Sequence, residues 1–192
     1  MIRSGIVLAG GAARRFGSDK LAEPIEGTSL LERAVAALDG VVDEIVVVIA
    51  PNRPPPAIES ADSRPPIILA RDSEAFGGPL VGVRTGLAAA RGSTVLVVGG
   101  DMPSLVPAVL AELLRRAPAA LADDDGVLRP LPCAFDRMAA LAAADRLLAG
   151  GERRLRALLA EVGLAALARA EWRAADPGGL TLRDIDERAD LG

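Results

Sequence analysis

The stretch GIVLAG, residues 5–10, is apolar almost throughout and ends in glycine, and EIVVVIA (44–50), PIILA (66–70) and TVLVVGG (94–100) repeat its form with many β-branched side chains. A strand with one wet face alternates apolar and polar residues, so an unbroken apolar run of this length describes a strand covered on both faces. Such strands belong to a parallel sheet with helices above and below it. The segments between the runs have the matching helical spacing. In TSLLERAVAAL (28–38), Ser29 and Glu32 make a capping-box pair, and Leu30, Leu31, Ala34, Val35 and Leu38 share one face. GPLVGVRTGLAAAR (78–91) puts Pro79 at a favoured first helical position, and VPAVLAELLRRA (106–117) has Val106, Val109, Leu110, Leu113 and Leu114 on one stripe. The order predicts a three-layer α/β/α fold, Rossmann-like, with an open and mostly parallel sheet.

After residue 117 the pattern changes. PAALADDDGVLRPLPCAF (118–135) reads as two strand-like segments around the turn DDDG, and helices are expected over 137–149 and 152–162, the second with Leu155, Leu158, Leu159 and Val162 at helical spacing. Arg153 and Arg154 would open that helix, where they oppose its dipole. LTLRDID (180–186) reads as strand-like, and PNRPPPAIESADSRPP (51–66) as a proline-rich surface loop. There is no internal repeat, and one domain is expected over residues 1–192.

Composition limits the chemistry. The 192 residues are 51% hydrophobic but only 2% aromatic, with no Tyr and no His, so histidine catalysis is excluded. Carboxylates, Arg, Lys, backbone groups or a metal must carry any reaction. A net charge of -4 gives no basic footprint for a nucleic-acid partner. The single cysteine, Cys133, forbids an internal disulfide; with no His to activate it, it reads as a small buried hydrophobe. No apolar run has the length of a membrane span or the form of a signal peptide, and the expectation is a cytoplasmic protein with no membrane partner. Every basic side chain is Arg except Lys20. Either biased composition left one lysine, or that position needs a compact ammonium that a planar guanidinium cannot replace.

In an open α/β sheet, ligands gather beyond the carboxyl ends of the strands. The loops that leave the strands there are GGAARRFGSDK (10–20), RDSEAFGGP (71–79) and GGDMPSL (99–105). Gly10 and Gly11 allow backbone to approach a phosphate, and Arg15 and Lys20 can neutralise it, although neither a Walker A loop nor a dinucleotide fingerprint is present. A structural turn with solvated arginines is the other reading. Asp101, just past a buried strand, suits Mg²⁺ held by one or two carboxylates and polyphosphate oxygens, or else the cap of the next helix. Asp184 and Asp186 share a face if their segment is extended, and read otherwise as turn chemistry. Asp72 can accept hydrogen bonds from a ribose or base. Asp123 to Asp125 form a solvated turn.

Taken in order, LAGGAARRFGSDK (8–20), RDSEAFGGPLVGVRTGL (71–87) and GGDMPSL resemble the motifs of the molybdenum cofactor guanylyltransferases, the MobA-like nucleotidyltransferases. That family's first motif runs LAGGxSxRMGxDK, its second contains GPLAG, and its third is DMP or DTP after an apolar strand. The likeness continues more weakly through RPLPCAF (129–135), GGERRLRALL (150–159) and LRDIDERADL (182–191). The resemblance implies Mg²⁺-dependent transfer of GMP from GTP to the phosphate of molybdopterin with release of pyrophosphate, and transient contact with molybdoenzymes or other cofactor-biosynthesis proteins. Residue by residue it implies that Leu8, Ala9, Gly10 and Gly11 hold the nucleotide, Arg15 and Lys20 its phosphates and Asp72 its nucleoside. Gly78, Pro79 and Leu80 complete the nucleotide site, and Asp101, with Asp186, holds the metal. Residues 1–116 would then be a nucleotide-binding half and 117–192 an acceptor-binding half. Ala13 and Phe16 stand where the family usually has Ser and Met, and Arg129 stands where a His is common. The related cytidylyltransferases resemble the chain in Asp184 and Asp186, whereas GGPLVG is the guanylyl form.

Overall fold

A computed structural model of the chain describes residues 1–10, 21, 24–25, 27–58, 64–74 and 77–185. Its elements, in order, are strand β1 (Arg3–Leu8), the short hairpin strands β2 (Pro24–Ile25) and β3 (Thr28–Ser29), helix α1 (Leu30–Ala36), β4 (Glu44–Ile49), β5 (Ile67–Arg71), α2 (Pro79–Ala89), β6 (Thr94–Gly99) and α3 (Pro107–Arg116). The second half contains β7 (Ala119–Ala122), β8 (Leu128–Asp136), α4 (Arg137–Ala149), α5 (Leu155–Glu161), β9 (Ala165–Leu167) and α6 (Arg169–Trp172). The main sheet has the order β5-β4-β1-β6-β8-β7-β9. It is parallel from β5 to β6, and β8 runs antiparallel to both its neighbours. No helix among the described residues is long and apolar enough to cross a membrane.

The unbroken apolar runs do cover two faces. Along β4, Ile45, Val47 and Ile49 join one core with Leu31, Val35 and Leu38 of the α1 side and Leu110 and Leu113 of α3, while Val46 and Val48 join a second core with Leu80, Val83 and Leu87 of α2. That second core also takes Ala140 and Ala144 of α4 and Leu155 and Leu158 of α5. Each fully buried branched side chain contributes roughly 1.5–3 kcal/mol. PIILA departs from the expectation: β5 is the edge strand, and Ile67 and Leu69 remain 37% and 39% exposed on one of its faces. Ile68 and Ala70 pack on the α2-side core, so β5 is covered on one face only, and apolar content alone does not reveal that.

Local signals act as expected at several ends. Ser29 caps α1, its hydroxyl accepting from the Glu32 N–H while the Glu32 carboxylate accepts from the Ser29 N–H. Pro79 is the first residue of α2, and Pro107, to which no such role was assigned, likewise opens α3. The turn after β7 is held by Asp123 Oδ1, which accepts from the N–H groups of Asp125 and Val127. Because β7 runs with the parallel strands, this turn lies at the sheet edge where those strands end. Two expectations need correction. Of the segment expected as a strand over 180–186, the described residues 180–185 are not one, because Leu180–Leu182 forms a single 3₁₀ turn and residues 183–185 are irregular. Helix α5 starts at Leu155 with Arg154 as its N-cap, because Glu152 Oε1 accepts the N–H groups of Arg153 and Arg154 and holds them outside the helix.

Candidate functional site

The strand order reverses between β1 and β6: the chain moves outward from β1 to β4 and β5, then crosses back to β6 on the other side of β1. Ligands bind at such a reversal, beyond the carboxyl ends. The opposite edge is closed on itself. There the buried Glu44 accepts from the Ser4 hydroxyl at 2.7 Å and from the Arg91 N–H at 2.6 Å, and the Gly92 N–H donates to Ser4 Oγ at 2.8 Å.

At the carboxyl edge the strands stay in register past their ends. The Ala9 N–H donates to Val48 O at 2.7 Å, Gly100 N–H to Leu8 O at 3.0 Å, and Asp72 N–H to Ile49 O at 2.9 Å. These bonds set Leu8, Ala9 and Gly10 between Asp72 on one side and Asp101 on the other. A Cβ on Gly10 would stand 3.3 Å from Asp72 Oδ2, and one on Gly82 of α2 3.7 Å from the same oxygen. Two glycines therefore make room for this carboxylate. Asp72 Oδ1 is buried and accepts no hydrogen bond. Burial pushes the Asp72 carboxyl above the ordinary aspartate range, and the Thr85 hydroxyl only partly opposes it. An orphaned acceptor of this kind suits a hydroxyl or N–H of a bound molecule.

Asp101 follows β6 with its carboxyl beside Gly99, where a Cβ would stand 2.6 Å from Asp101 Oδ1. It does not cap α3, whose N-cap is Val106. The Ile185 N–H donates to the Asp101 carbonyl at 3.0 Å, so the segment with the exposed Asp184 lies alongside. Among the described residues no three His, Cys, Asp or Glu side chains cluster as a closed metal cage. One carboxylate at an open sheet edge fits Mg²⁺, which takes one or two carboxylates and leaves its other positions to phosphate and water. Asp186, Gly11, Arg15 and Lys20 lie outside the described residues.

Gly78 precedes α2 with φ of +92°, and a Cβ there would meet the Arg153 carbonyl at 2.9 Å, so only glycine fits. That carbonyl accepts the Leu80 N–H at 3.2 Å, and the Leu80 side chain is wholly buried. The GGPL and GERR segments are thus docked on each other, with Gly78 and Pro79 left exposed. Cys133 is wholly buried in β8, and burial pushes its thiol well above the ordinary range.

Arg53, which no motif in the sequence singles out, also belongs to this edge. A cleft of about 410 Å³ opens beside Ala9, Leu31, Glu32 and Ile49, walled by Pro54 to Pro56, and Arg53 lines it. Its Nη1 donates to the Ala9 carbonyl at 3.3 Å, and burial pulls its pKa down. Arg71 Nη1 holds the turn from outside, donating to the carbonyls of Pro51 at 3.0 Å and Arg53 at 2.7 Å. The start of the proline-rich loop is therefore anchored to the site. The available signal was position: Arg53 lies three residues beyond the apolar run that forms β4.

A family model described as MobA-like NTP transferase domain matches residues 5–169. A probable molybdenum cofactor guanylyltransferase from Chloroflexus aggregans is 35% identical over 201 residues, covering 100% of this chain and 92% of the relative. The crystal structure of molybdopterin-guanine dinucleotide biosynthesis protein A from Archaeoglobus fulgidus superposes with a TM-score of 0.74 at 19% identity, over 98% of this chain and 94% of that one. A Mycobacterium tuberculosis protein crystallised in complex with manganese superposes with a TM-score of 0.62 at 19% identity, over 88% of each chain. At these identities the two structures bear on the fold alone.

Proposed function

The chain belongs to the MobA-like NTP transferase family, and on that premise we propose that this nucleotidyltransferase moves GMP from GTP to the phosphate of molybdopterin in the cytoplasm. The observation that carries the reading is the convergence of Gly10, Asp72 with its orphaned oxygen, and Asp101 at the strand-order reversal. The guanylyl choice is supported by GGPLVG and by the name of the Chloroflexus relative.

Transfer proceeds by in-line attack. A phosphate oxygen of the acceptor forms a bond to the α-phosphorus as the bond from that phosphorus to the β-bridging oxygen breaks, and pyrophosphate leaves with the electron pair. The nucleophile is already an anion, so no general base is needed and a protein without histidine can perform the step. Leu8, Ala9, Gly10 and Gly11 present backbone to the nucleotide, and Asp72 accepts from its nucleoside. Gly78 and Pro79, with Leu80 behind them, border the same pocket. Arg15 and Lys20 meet the charge that grows on the leaving group. Asp101 and Asp186 would hold Mg²⁺, which supplies further neutralisation of the phosphates when bound. Residues 1–116 serve the nucleotide and 117–192 the acceptor, with transient docking to proteins that receive the product.

The test measures pyrophosphate release with molybdopterin, Mg²⁺ and GTP, CTP, UTP or ATP in turn. GTP is expected to give the fastest release and a guanine dinucleotide product. Faster release with CTP would make the enzyme a cytidylyltransferase, and nucleotide binding without release would make it a non-catalytic module.

Two substitutions probe the nucleotide side. Lys20→Arg is expected to lose at least about tenfold in turnover, on the order of 1.4 kcal/mol, because the guanidinium is larger and planar. Unchanged kinetics would return the lone lysine to chance composition. Asp72→Asn is expected to raise the KM for GTP while raising thermal stability. The sign follows from the raised pKa: an acid whose folded value lies above its unfolded value favours folding fully only below the unfolded value, and that contribution is lost as pH rises through the folded one. The gain in Tm should therefore be larger near about pH 7 than near about pH 4. A Tm that falls at neutral pH would contradict it.

A further inference from the structure

The loop that carries Asp101 is held from outside by a C-terminal arch, residues 168–185. The arch begins at α6, where Trp172 is 2% exposed and its Nε1 donates to the Ala122 carbonyl of β7 at 3.3 Å. The Arg169 guanidinium lies 4.0 Å from the centre of that indole ring. Its Nη2 donates to the carbonyls of Asp176 at 2.9 Å and Pro177 at 2.8 Å. Asp176 turns the chain back, one carboxylate oxygen accepting the Leu180 N–H at 3.0 Å and the other the Thr181 N–H at 2.8 Å. Burial alone would raise the Asp176 carboxyl, but these bonds outweigh it and hold it below the ordinary range.

The two ends of the Asp101 loop are both tied to this arch. Thr181, wholly buried, accepts the Val106 N–H on its hydroxyl at 3.2 Å, immediately before α3. Ile185, 2% exposed, donates its N–H to the Asp101 carbonyl at 3.0 Å. Within the loop itself, Met102 N–H reaches only the Gly99 carbonyl, at 3.4 Å. A loop bounded by two hydrogen bonds to one segment, one from the Thr181 side chain and one from the Ile185 backbone, takes its position from that segment. The segment in turn depends on a buried arginine bonded through Nη2, whose Nε and Nη1 donate no hydrogen bond, and on a buried carboxylate both of whose oxygens accept and fix one geometry.

We propose that Asp176 and Thr181 are positioning residues that set the Asp101 carboxylate for a divalent cation. The proposal rests on the reading of Asp101 as a cation ligand. Groups behind a metal ligand commonly change metal affinity by about 10- to 100-fold when removed. Thr181→Val, which keeps the volume and removes the acceptor for Val106, is expected to weaken cation binding at least about tenfold, and Thr181→Ser to stay within about twofold of the parent. Asp176→Asn, which turns a donor toward a backbone N–H, should behave like Thr181→Val.

The experiment titrates the full chain with Mn²⁺ in the presence of the α,β-methylene analogue of GTP and reads free Mn²⁺ by electron paramagnetic resonance. Nucleotide KM at saturating cation is measured beside it and should be unchanged by Thr181→Ser. Wild-type Mn²⁺ affinity in both Thr181→Val and Asp176→Asn overturns the proposal, as does equal weakening in the Val and Ser variants. Asp101→Asn separates the two levels. If it leaves Mn²⁺ binding intact, the reading of Asp101 fails; if it abolishes binding while Thr181→Val does not, only the positioning role fails.

Discussion

Alanine at Asp101 is expected to lower nucleotidyl transfer by about 100- to 1,000-fold, with little change in fold. The side chain is half-buried at the end of β6 and does not cap α3, so its removal does not strip a helix of its first hydrogen bond. What it removes is the carboxylate that follows β6, one residue beyond the Gly100 N–H that donates to the Leu8 carbonyl at 3.0 Å. The triphosphate of the proposed reaction has several negative charges, and charge placed to meet them in the transition state is a main contribution open to a protein without histidine. Steady-state pyrophosphate release across a range of Mg²⁺ concentrations checks it. Near-normal transfer at saturating Mg²⁺ would remove Asp101 from the reaction.

Valine at Gly86 is expected to cost about 3 kcal/mol of stability. Gly86 lies inside α2, facing β1, and a Cβ there would collide with Ile6 Cγ2 and stand 3.1 Å from Ile6 Cδ1. Ile6 is wholly buried and branched at Cβ, so its χ1 has little room to turn away. Alanine alone would recover about 1 kcal/mol of helix propensity against that clash, whereas valine adds bulk that neither the helix nor the strand can release. The melting temperature should fall by about 6–12 °C for a chain of this size. Shortening Ile6 to alanine beside Gly86→Ala should restore much of any loss, a coupling that a double-mutant cycle measures. Because α2 also bears Gly82 against Asp72, the displaced helix should raise the KM for nucleotide.

Much of this was readable from residues alone. The apolar runs of β1, β4 and β6 are buried on both faces, Ser29 and Glu32 cap α1, and Pro79 opens α2. These are short-range effects, in which burial period and capping chemistry sit within a few neighbouring residues. What escaped depends on distant partners. The exposure of Ile67 and Leu69 follows from the covering of β5 on one face only, which apolar content does not encode. The alternation of Asp184 and Asp186 resembled a strand, but the backbone bonds of that region go to Asp176 and Asp101 rather than to a neighbouring strand. Arg53 reaches the site through the Ala9 carbonyl, and Arg71, far along the chain, grips the turn on which it sits. The roles of Gly11, Arg15, Lys20 and Asp186 rest on the sequence, since they lie outside the described residues.

The reversed strand β8 has an evolutionary consequence. By running against its neighbours, it joins β7 through a tight turn at Asp123 to Val127, and that turn sits on the reactive edge without belonging to any parallel crossover. A hairpin tip can grow or shrink while every parallel register stays as it is. On the proposed division of the site, change at this tip would alter the acceptor wall and leave the nucleotide wall as it is.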